Sequence, residues 1–468
     1  MNRHYESSLF VLEDIVRIQE HKPVYPVSLN DKTMEERLKK VLDAMKERQL
    51  DVLIIYNDLE HGSNFEYLTG FLTRFEEGVL VLHRTGEAFL LLGNENIKMQ
   101  KYSRIPAALI HVPFFSLPNQ PMKDDRSITA YFQEAQIRPG QQVGAVGWKM
   151  FTSGIEKNRK IFDIPHYIIE AVQQLAGQEN VVNCCDLFIG GDAGVRITNN
   201  ANEIAHYEYG SSLASDGVAA ALDHVEEGIT ELELGTYLNS EGQRSSVVTI
   251  AATGERFINA NYYPTDKKVQ LGDRMSLTVG YKGGLTSRAG YAVEQEDQLP
   301  EQERDYIKKI AAPYFAAITA WLENIRIGMS GDEMCRLIQE VLPQDVYHWE
   351  LNPGHLIGDE EWMSSPIYPD SREILKSGML LQTDIIPSMP GYGGAGCESG
   401  IALADEALKE QISREYPALY DRFLKRRRYI EEVLQIELSE DVLPMNDTVA
   451  YYRPFFMNKA LAFKKSRR

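Results

Sequence analysis

The chain has 468 residues, 43% of them hydrophobic and 25% charged, with a formal net charge of −19. A length beyond the reach of one hydrophobic core predicts two domains of roughly 200 residues, and the composition excludes a disordered or fibrous protein. The acidic balance excludes a nucleic-acid backbone as partner, since phosphate contacts need a concentrated cationic surface, and no apolar run reaches the roughly 20 residues that span a bilayer.

The opening residues, MNRHYESSLFVLED, lack the sustained apolar core of a signal peptide, so the protein is expected in the cytoplasm. Met34, Leu38, Val41, Leu42 and Met45 then recur at helical spacing, predicting an amphipathic helix from Met34 to Arg48. DVLIIY (Asp51 to Tyr56) reads as a buried strand. GVLVLHR and EAFLLLG form a hairpin about Thr85 and Gly86, and VGAVGW (Val143 to Trp148) adds a further strand. The first half is therefore an α/β domain.

A domain boundary is expected between Gly190 and Asn199, before a long helix from Asn199 to Val225 with Ile204, Tyr207, Leu213, Val218 and Leu222 as its buried stripe. Thr230 is the expected N-cap of the next helix. Strands follow at SSVVTIAA and around Arg274 to Thr286, helices at Glu301 to Ile325 and Gly328 to Leu342, and strands again at Met379 to Pro387 and Ser399 to Asp405. Helices laid on a curved antiparallel sheet predict an α+β second domain. The expected division is 1–195, 196–415 and a helical extension, 416–468, with an amphipathic segment from Leu419 to Ile436. Its KRRR run (Lys425 to Arg428) reads as a solvated helix face and the terminal KKSRR as a frayed tail. The four cysteines, with Cys184 and Cys185 adjacent, fit free thiols rather than a disulfide framework or a zinc spacing.

His355 in NPGHLIGDEEW, Asp384 in LLQTDIIP and Glu398 in GGAGCESGIAL stand out as polar residues beside glycines in the second half. One histidine and two carboxylates can hold a metal ion or move protons, and spacing alone leaves both readings open.

The order of segments resembles the creatinase, prolidase and Xaa-Pro aminopeptidase family. The resemblance is carried by MEERLKKVLDAMKERQLDVLIIY, EYLTGF and VLVLHRTGEAFLLL in the first half, and by ITNNANEIAHYEYGSSLASDGVAAALDHVEEGITELELG, GDRMSLTVG, NPGHLIGDEEW, LKSGMLLQTDIIP and CESGIALAD in the second. It implies a creatinase-like α/β domain followed by a pita-bread domain, a small-molecule substrate and a homodimer. It also implies a pair of divalent ions held by two Asp, one His and two Glu, bridged by the attacking water. Here Thr278 falls at the first Asp, Leu285 at or beside the second, and Asp384 at the first Glu, while His355 and Glu398 match. Three donors of five leave a divergent member for which no cofactor is expected, a single ion at His355, Asp384 and Glu398 being the alternative.

The creatinase branch works without metal, and the resemblance implies roles for further residues. Arg74 in GFLTRF, or Arg288, would take a substrate carboxylate. Asn261 and Tyr262 occupy the segment where the family places a proton-shuttling histidine, and Trp362 stands where it has a second histidine. Three functions follow: a metal-independent C–N hydrolase with His355, Asp384 and Glu398 as catalytic groups, a non-catalytic binding member, and a single-metal aminopeptidase or dipeptidase.

Overall fold

A computed structural model describes residues 5–18, 24–124, 126–191 and 193–466. The chain divides into two compact units, one running from Leu29 to Ile197 and the other comprising the residues up to Ser28 together with those from Thr198 onward. The extension set apart on sequence as 416–468 thus belongs with the second unit, as does the N-terminal segment. Met1 to His4, within the leading stretch read for a signal peptide, lie outside the described residues.

The first unit holds a six-stranded mixed sheet in the order Ala108–His111, Ala88–Leu92, Gly78–His83, Val52–Asn57, Val143–Val146, Val181–Asn183. Every residue of the central strands Val52–Asn57 and Gly78–His83 is buried, which explains their unbroken apolar runs: a strand covered on both faces does not alternate. Ile54 and Val81 share a core with Tyr131, Phe132, Ile168 and Val172 from the helices Ile128–Glu134 and His166–Ala176.

The second unit is built on two antiparallel four-stranded sheets. One runs Gly396–Glu398, Gly284–Tyr291, Arg274–Tyr281, Ile250–Thr253, and the other His355–Leu356, Leu380–Gln382, Gly400–Leu403, Val442–Pro444. Only Ser399 separates the strand that closes the first sheet from one in the middle of the second. Glu398 therefore sits at the seam between the two. The run Met379 to Pro387, expected to be extended throughout, keeps its ladder only over Leu380–Gln382; Thr383 still reaches the Ser399 carbonyl with its N–H, and the chain then leaves the sheet.

Helix Ala201–Asp223 packs on the hairpin of Arg274–Tyr281 and Gly284–Tyr291. Its expected stripe is buried, and so is most of the opposite face, because Val218 and Leu222 enter one core while Ile204 and Tyr207 enter another with Leu380 and Phe423. Gly210 lets the hairpin approach: a Cβ there would lie 1.9 Å from the Lys282 carbonyl oxygen. A capping box starts this helix, with Asn200 Oδ1 accepting from the Glu203 N–H at 3.0 Å and Glu203 Oε2 from the Asn200 N–H at 2.9 Å. Asn200→Ala should lower stability by about 1 kcal/mol, measured as a shift in the denaturation midpoint. The helix expected from Glu301 opens instead as a 3-10 turn and a π turn at Ile307–Ala311 before Ala312–Asn324 becomes regular, since Pro313 has no N–H for the α ladder.

Two expectations for basic clusters are corrected. Lys425 and Arg428 of the KRRR run are exposed, but Arg426 is only 1% exposed and is ion-paired with Glu208 and Asp447. Of the KKSRR tail, Lys464 and Lys465 belong to the strand Leu461–Lys465, which pairs with Phe10–Asp14; Arg467 and Arg468 lie outside the described residues. All four cysteines are free and buried. No described helix is long and apolar enough to cross a membrane.

Candidate functional site

Three strands deliver the candidate polar residues to the seam. His355 opens the strand His355–Leu356 and pairs with Gln382, two residues before Asp384, while Glu398 ends its strand opposite Ser287. Gly354 makes the entry to His355 feasible. Its φ is +134°, and a side chain there would press on the Gln382 carbonyl at 3.0 Å and on the Trp321 indole nitrogen at 3.1 Å.

His355 is fully buried, with its ring stacked on Trp362 at 4.2 Å between centroids and 20° between planes. Its Nδ1 is 3.2 Å from the Leu356 carbonyl oxygen, so in the neutral ring Nδ1–H donates there and the Nε2 lone pair faces the carboxylates. Nε2 lies 3.2 Å from Glu361 Oε1 and 3.9 Å from Asp384 Oδ2, and a further hydrogen bond joins Asp384 to Glu398. His355 Nε2 and Asp384 Oδ1 are nevertheless buried with no well-formed hydrogen bond, which is uncommon inside proteins and marks a place for a ligand or water.

Sequence reasoning missed Glu361. The chain from Leu356 folds back on itself, Leu356 N–H donating to the Ser364 carbonyl at 2.8 Å and Met363 N–H to the Leu356 carbonyl at 3.0 Å. This return lays Glu361 and Trp362 over the imidazole. The available signal was the adjacent acid–aromatic pair in DEEW, six residues beyond the histidine.

The crowding of acids shifts their protonation. Burial pushes the Asp384 carboxyl up to about 6; His355 pulls it down and Glu361 pushes it further up. Glu398 is held well above the ordinary range, first by burial and then by Asp384 and Glu361. For His355, burial works downward, but Glu361 and Asp384 outweigh it and the imidazole ends above 6.5. Glu361→Gln should lower the His355 pKa, as read by NMR titration of the ring protons; an unchanged midpoint would mean that Glu361 does not hold the imidazole.

The remaining predicted residues are placed less centrally. Arg288 is 1% exposed, and its five N–H groups go to the carbonyls of Tyr451, Ser287, Glu398 and Thr448 and to Ser399 Oγ, leaving none to clamp a substrate carboxylate. It braces the backbone at Glu398 instead. Arg74 lies in the first unit with an exposed side chain, its backbone N–H held by Asn96 Oδ1 at 2.9 Å. Asn261 is exposed and turns its amide to the Asn259 carbonyl at 3.3 Å, while Tyr262 tilts against Phe257 at 6.4 Å. The Asn261 N–H donates to the Arg256 carbonyl at 2.9 Å, and the Tyr262 carbonyl accepts from the Ala251 N–H of the strand Ile250–Thr253 at 3.3 Å.

Thr278 and Leu285 decide whether a pair of metal ions fits. Thr278 Oγ1 is 2.6 Å from Ser287 Oγ across the hairpin, and Leu285, 5% exposed, faces Gly280 two pairs along. Thr278, Ser287 and Leu285 therefore share the sheet face that Glu398 occupies, and they present two hydroxyls and an isobutyl group there, with no carboxylate among them to hold a second ion. A two-ion centre does not fit these side chains. Among the described residues no group of three or more His, Cys, Asp or Glu is arranged to hold a metal ion.

Residues 37–186 match the creatinase/prolidase N-terminal domain, and residues 205–405 match metallopeptidase family M24. The fold is similar to that of the recombinant prolidase from Thermococcus sibiricus, with TM-score 0.63 and 17% identity over 81% of this chain and 96% of that one. It is also similar to the Xaa-Pro dipeptidase from Bacillus anthracis (TM-score 0.60, 17% identity, 80% and 96% covered) and the X-Pro aminopeptidase from Thermotoga maritima MSB8 (TM-score 0.60, 15% identity, 79% and 95% covered). No curated protein matches the sequence.

Proposed function

Because the chain belongs to the creatinase and prolidase family, with an M24 domain behind a creatinase/prolidase N-terminal domain, we propose that it is a hydrolase of a C–N bond in a small amino-acid-like or guanidino substrate, working without a metal pair. The observation that carries this reading is the buried Glu361–His355–Asp384–Glu398 cluster, in which His355 Nε2 and Asp384 Oδ1 are buried with no well-formed hydrogen bond.

In this reading a water between Nε2 and Oδ1 attacks the substrate carbon and gives its proton to His355. Glu398, which burial holds well above the ordinary carboxylate range, donates its proton to the nitrogen as the C–N bond breaks. The proton on His355 then returns through Asp384 to Glu398, so that one water is consumed and the site is restored. Trp362 over the imidazole limits water on that side. We assign the substrate carboxylate to no residue of the second unit, since Arg288 is fully engaged; Arg74 is the proposed clamp, delivered in a homodimer. The cytoplasm is the proposed location.

A second reading, a member that binds without turnover, is favoured by Leu285 and by the lack of a histidine at Asn261. One experiment separates the two. The protein is purified without chelator, soaked in manganese, zinc or cobalt, analysed for metal, and assayed on guanidino and N-acyl amino acids. Turnover that survives chelator and falls at least about a hundredfold in Glu398→Gln and His355→Ala supports the hydrolase. Absence of both metal and turnover leaves the binding reading. Stoichiometric metal that vanishes in His355→Ala would overturn both in favour of a single-ion peptidase.

A further inference from the structure

The first unit contains a cavity of about 590 Å³ whose walls combine aromatic rings and carboxylates: Tyr56, Phe75 and Phe114 beside Asp58, Glu60 and Glu77. No lysine or arginine is among its lining residues. The apolar part is presented to solvent, Phe75 being 73% exposed and Phe114 42%. These residues all lie between Leu29 and Ile197, so the cavity belongs to the first unit and none of the His355 cluster lines it.

Phe75 is held in an uncommon way. Its φ is +66°, a left-handed conformation that a bulky side chain rarely adopts. The loop is fixed on both sides of it: Asn96 accepts the Arg74 N–H at 2.9 Å and donates to the Arg74 carbonyl at 2.8 Å, and Thr73 Oγ1 donates to the Glu76 carbonyl at 2.7 Å. A strained backbone that holds a phenyl ring in water gains nothing for the core, and such outliers gather at ligand sites.

The acids are held in place by local hydrogen bonds. Burial alone would raise the Asp58 carboxyl, but the N–H groups of His61 and Glu60 outweigh it, at 2.7 and 2.9 Å, and keep it below its ordinary value. Glu77 accepts from Tyr167 Oη at 3.3 Å, and His61 is braced by stacking on Trp148 at 4.7 Å. Burial and the charges of Asp58 and Glu77 push the Tyr56 phenol strongly upward, the direction expected in a negative field. Arg74, exposed beside Phe75, is the neighbouring cation, and it does not line the cavity.

We propose that this cavity binds a small organic cation, an ammonium or guanidinium group on an apolar stem, with Phe75 and Phe114 against the stem and the Asp58 and Glu77 carboxylates around the charge. Rings supply cation–π attraction and a surface for methylene groups, and the carboxylates exclude anions. The cation could be a free molecule or the side chain of a partner segment, and the same titration distinguishes them.

The full chain is titrated calorimetrically with butylguanidinium, butylammonium, the uncharged butylurea, and a capped Ala-Arg-Ala peptide. Both cations should bind saturably and more weakly as salt rises, and butylurea should not bind. Phe75→Gly, which suits the positive φ and so preserves the loop, and Glu77→Gln, which can still accept from Tyr167, should each weaken binding about fivefold. A peptide about tenfold tighter than butylguanidinium assigns the site to a chain segment, and equal or weaker binding assigns it to a free molecule. Butylurea binding as well as the cations, both variants binding like the parent, or no saturable heat with any cation would overturn the proposal.

Discussion

Arg426→Ala should destabilise the second unit by about 3–5 kcal/mol. The Arg426 guanidinium is 1% exposed, with Nη1 2.9 Å from Glu208 Oε1 and Nε 2.6 Å from Asp447 Oδ1. It also donates to the carbonyls of Pro444 and Met445 at 3.3 and 3.2 Å. Alanine withdraws the cation from two buried carboxylates and leaves both carbonyls short of a donor. Arg422 keeps its two-pronged contact with Glu208, at 2.7 and 2.6 Å, so Asp447 bears most of the loss. Arg426→Lys should recover only part of the stability, because an ammonium cannot reproduce the planar fork. The check is the urea midpoint followed by a probe in the second unit; a loss below about 0.5 kcal/mol would show that the network contributes nothing net.

Asp384→Asn should produce the clearest pH signature. Asp384 has its folded pKa raised from 3.8 to about 6, so between those values the folded protein binds more protons than the unfolded chain. Stability then falls as pH rises through this window, and the parent's loss attributable to Asp384 reaches about 3 kcal/mol above pH 6. His355 and Glu398 are shifted upward as well and act with the same sign. Asparagine cannot ionise, so in chelator the variant should equal the parent near pH 4 and exceed it above pH 6. Should the parent instead gain on the variant as pH rises, Asp384 would be an ionised partner of His355, and the proton route from His355 back to Glu398 would fail.

The architecture was legible because local periodicity reports burial directly. The buried runs at Val52–Asn57 and Gly78–His83, the stripe of Ala201–Asp223 and the Thr230 cap could all be placed from the chain alone. That residues 278 and 285 are a threonine and a leucine is likewise a fact of sequence. What periodicity cannot give is the environment of a charged side chain. Arg288 and Arg426 are chemically equivalent to an exposed arginine until the fold surrounds them with carbonyls and carboxylates.

The same limit applies at the site. His355, Asp384 and Glu398 were chosen by residue type, and the seam between two sheets is what sets them side by side. Glu361 became part of the cluster through a backbone return of a few residues, and Phe75 lines its cavity from a loop fixed by Asn96. The sequence by itself determined which elements form, because they depend on side-chain identity and spacing. Only the tertiary structure decided which buried charges meet, because Coulomb and desolvation energies depend on distances across strands that are far apart in the chain.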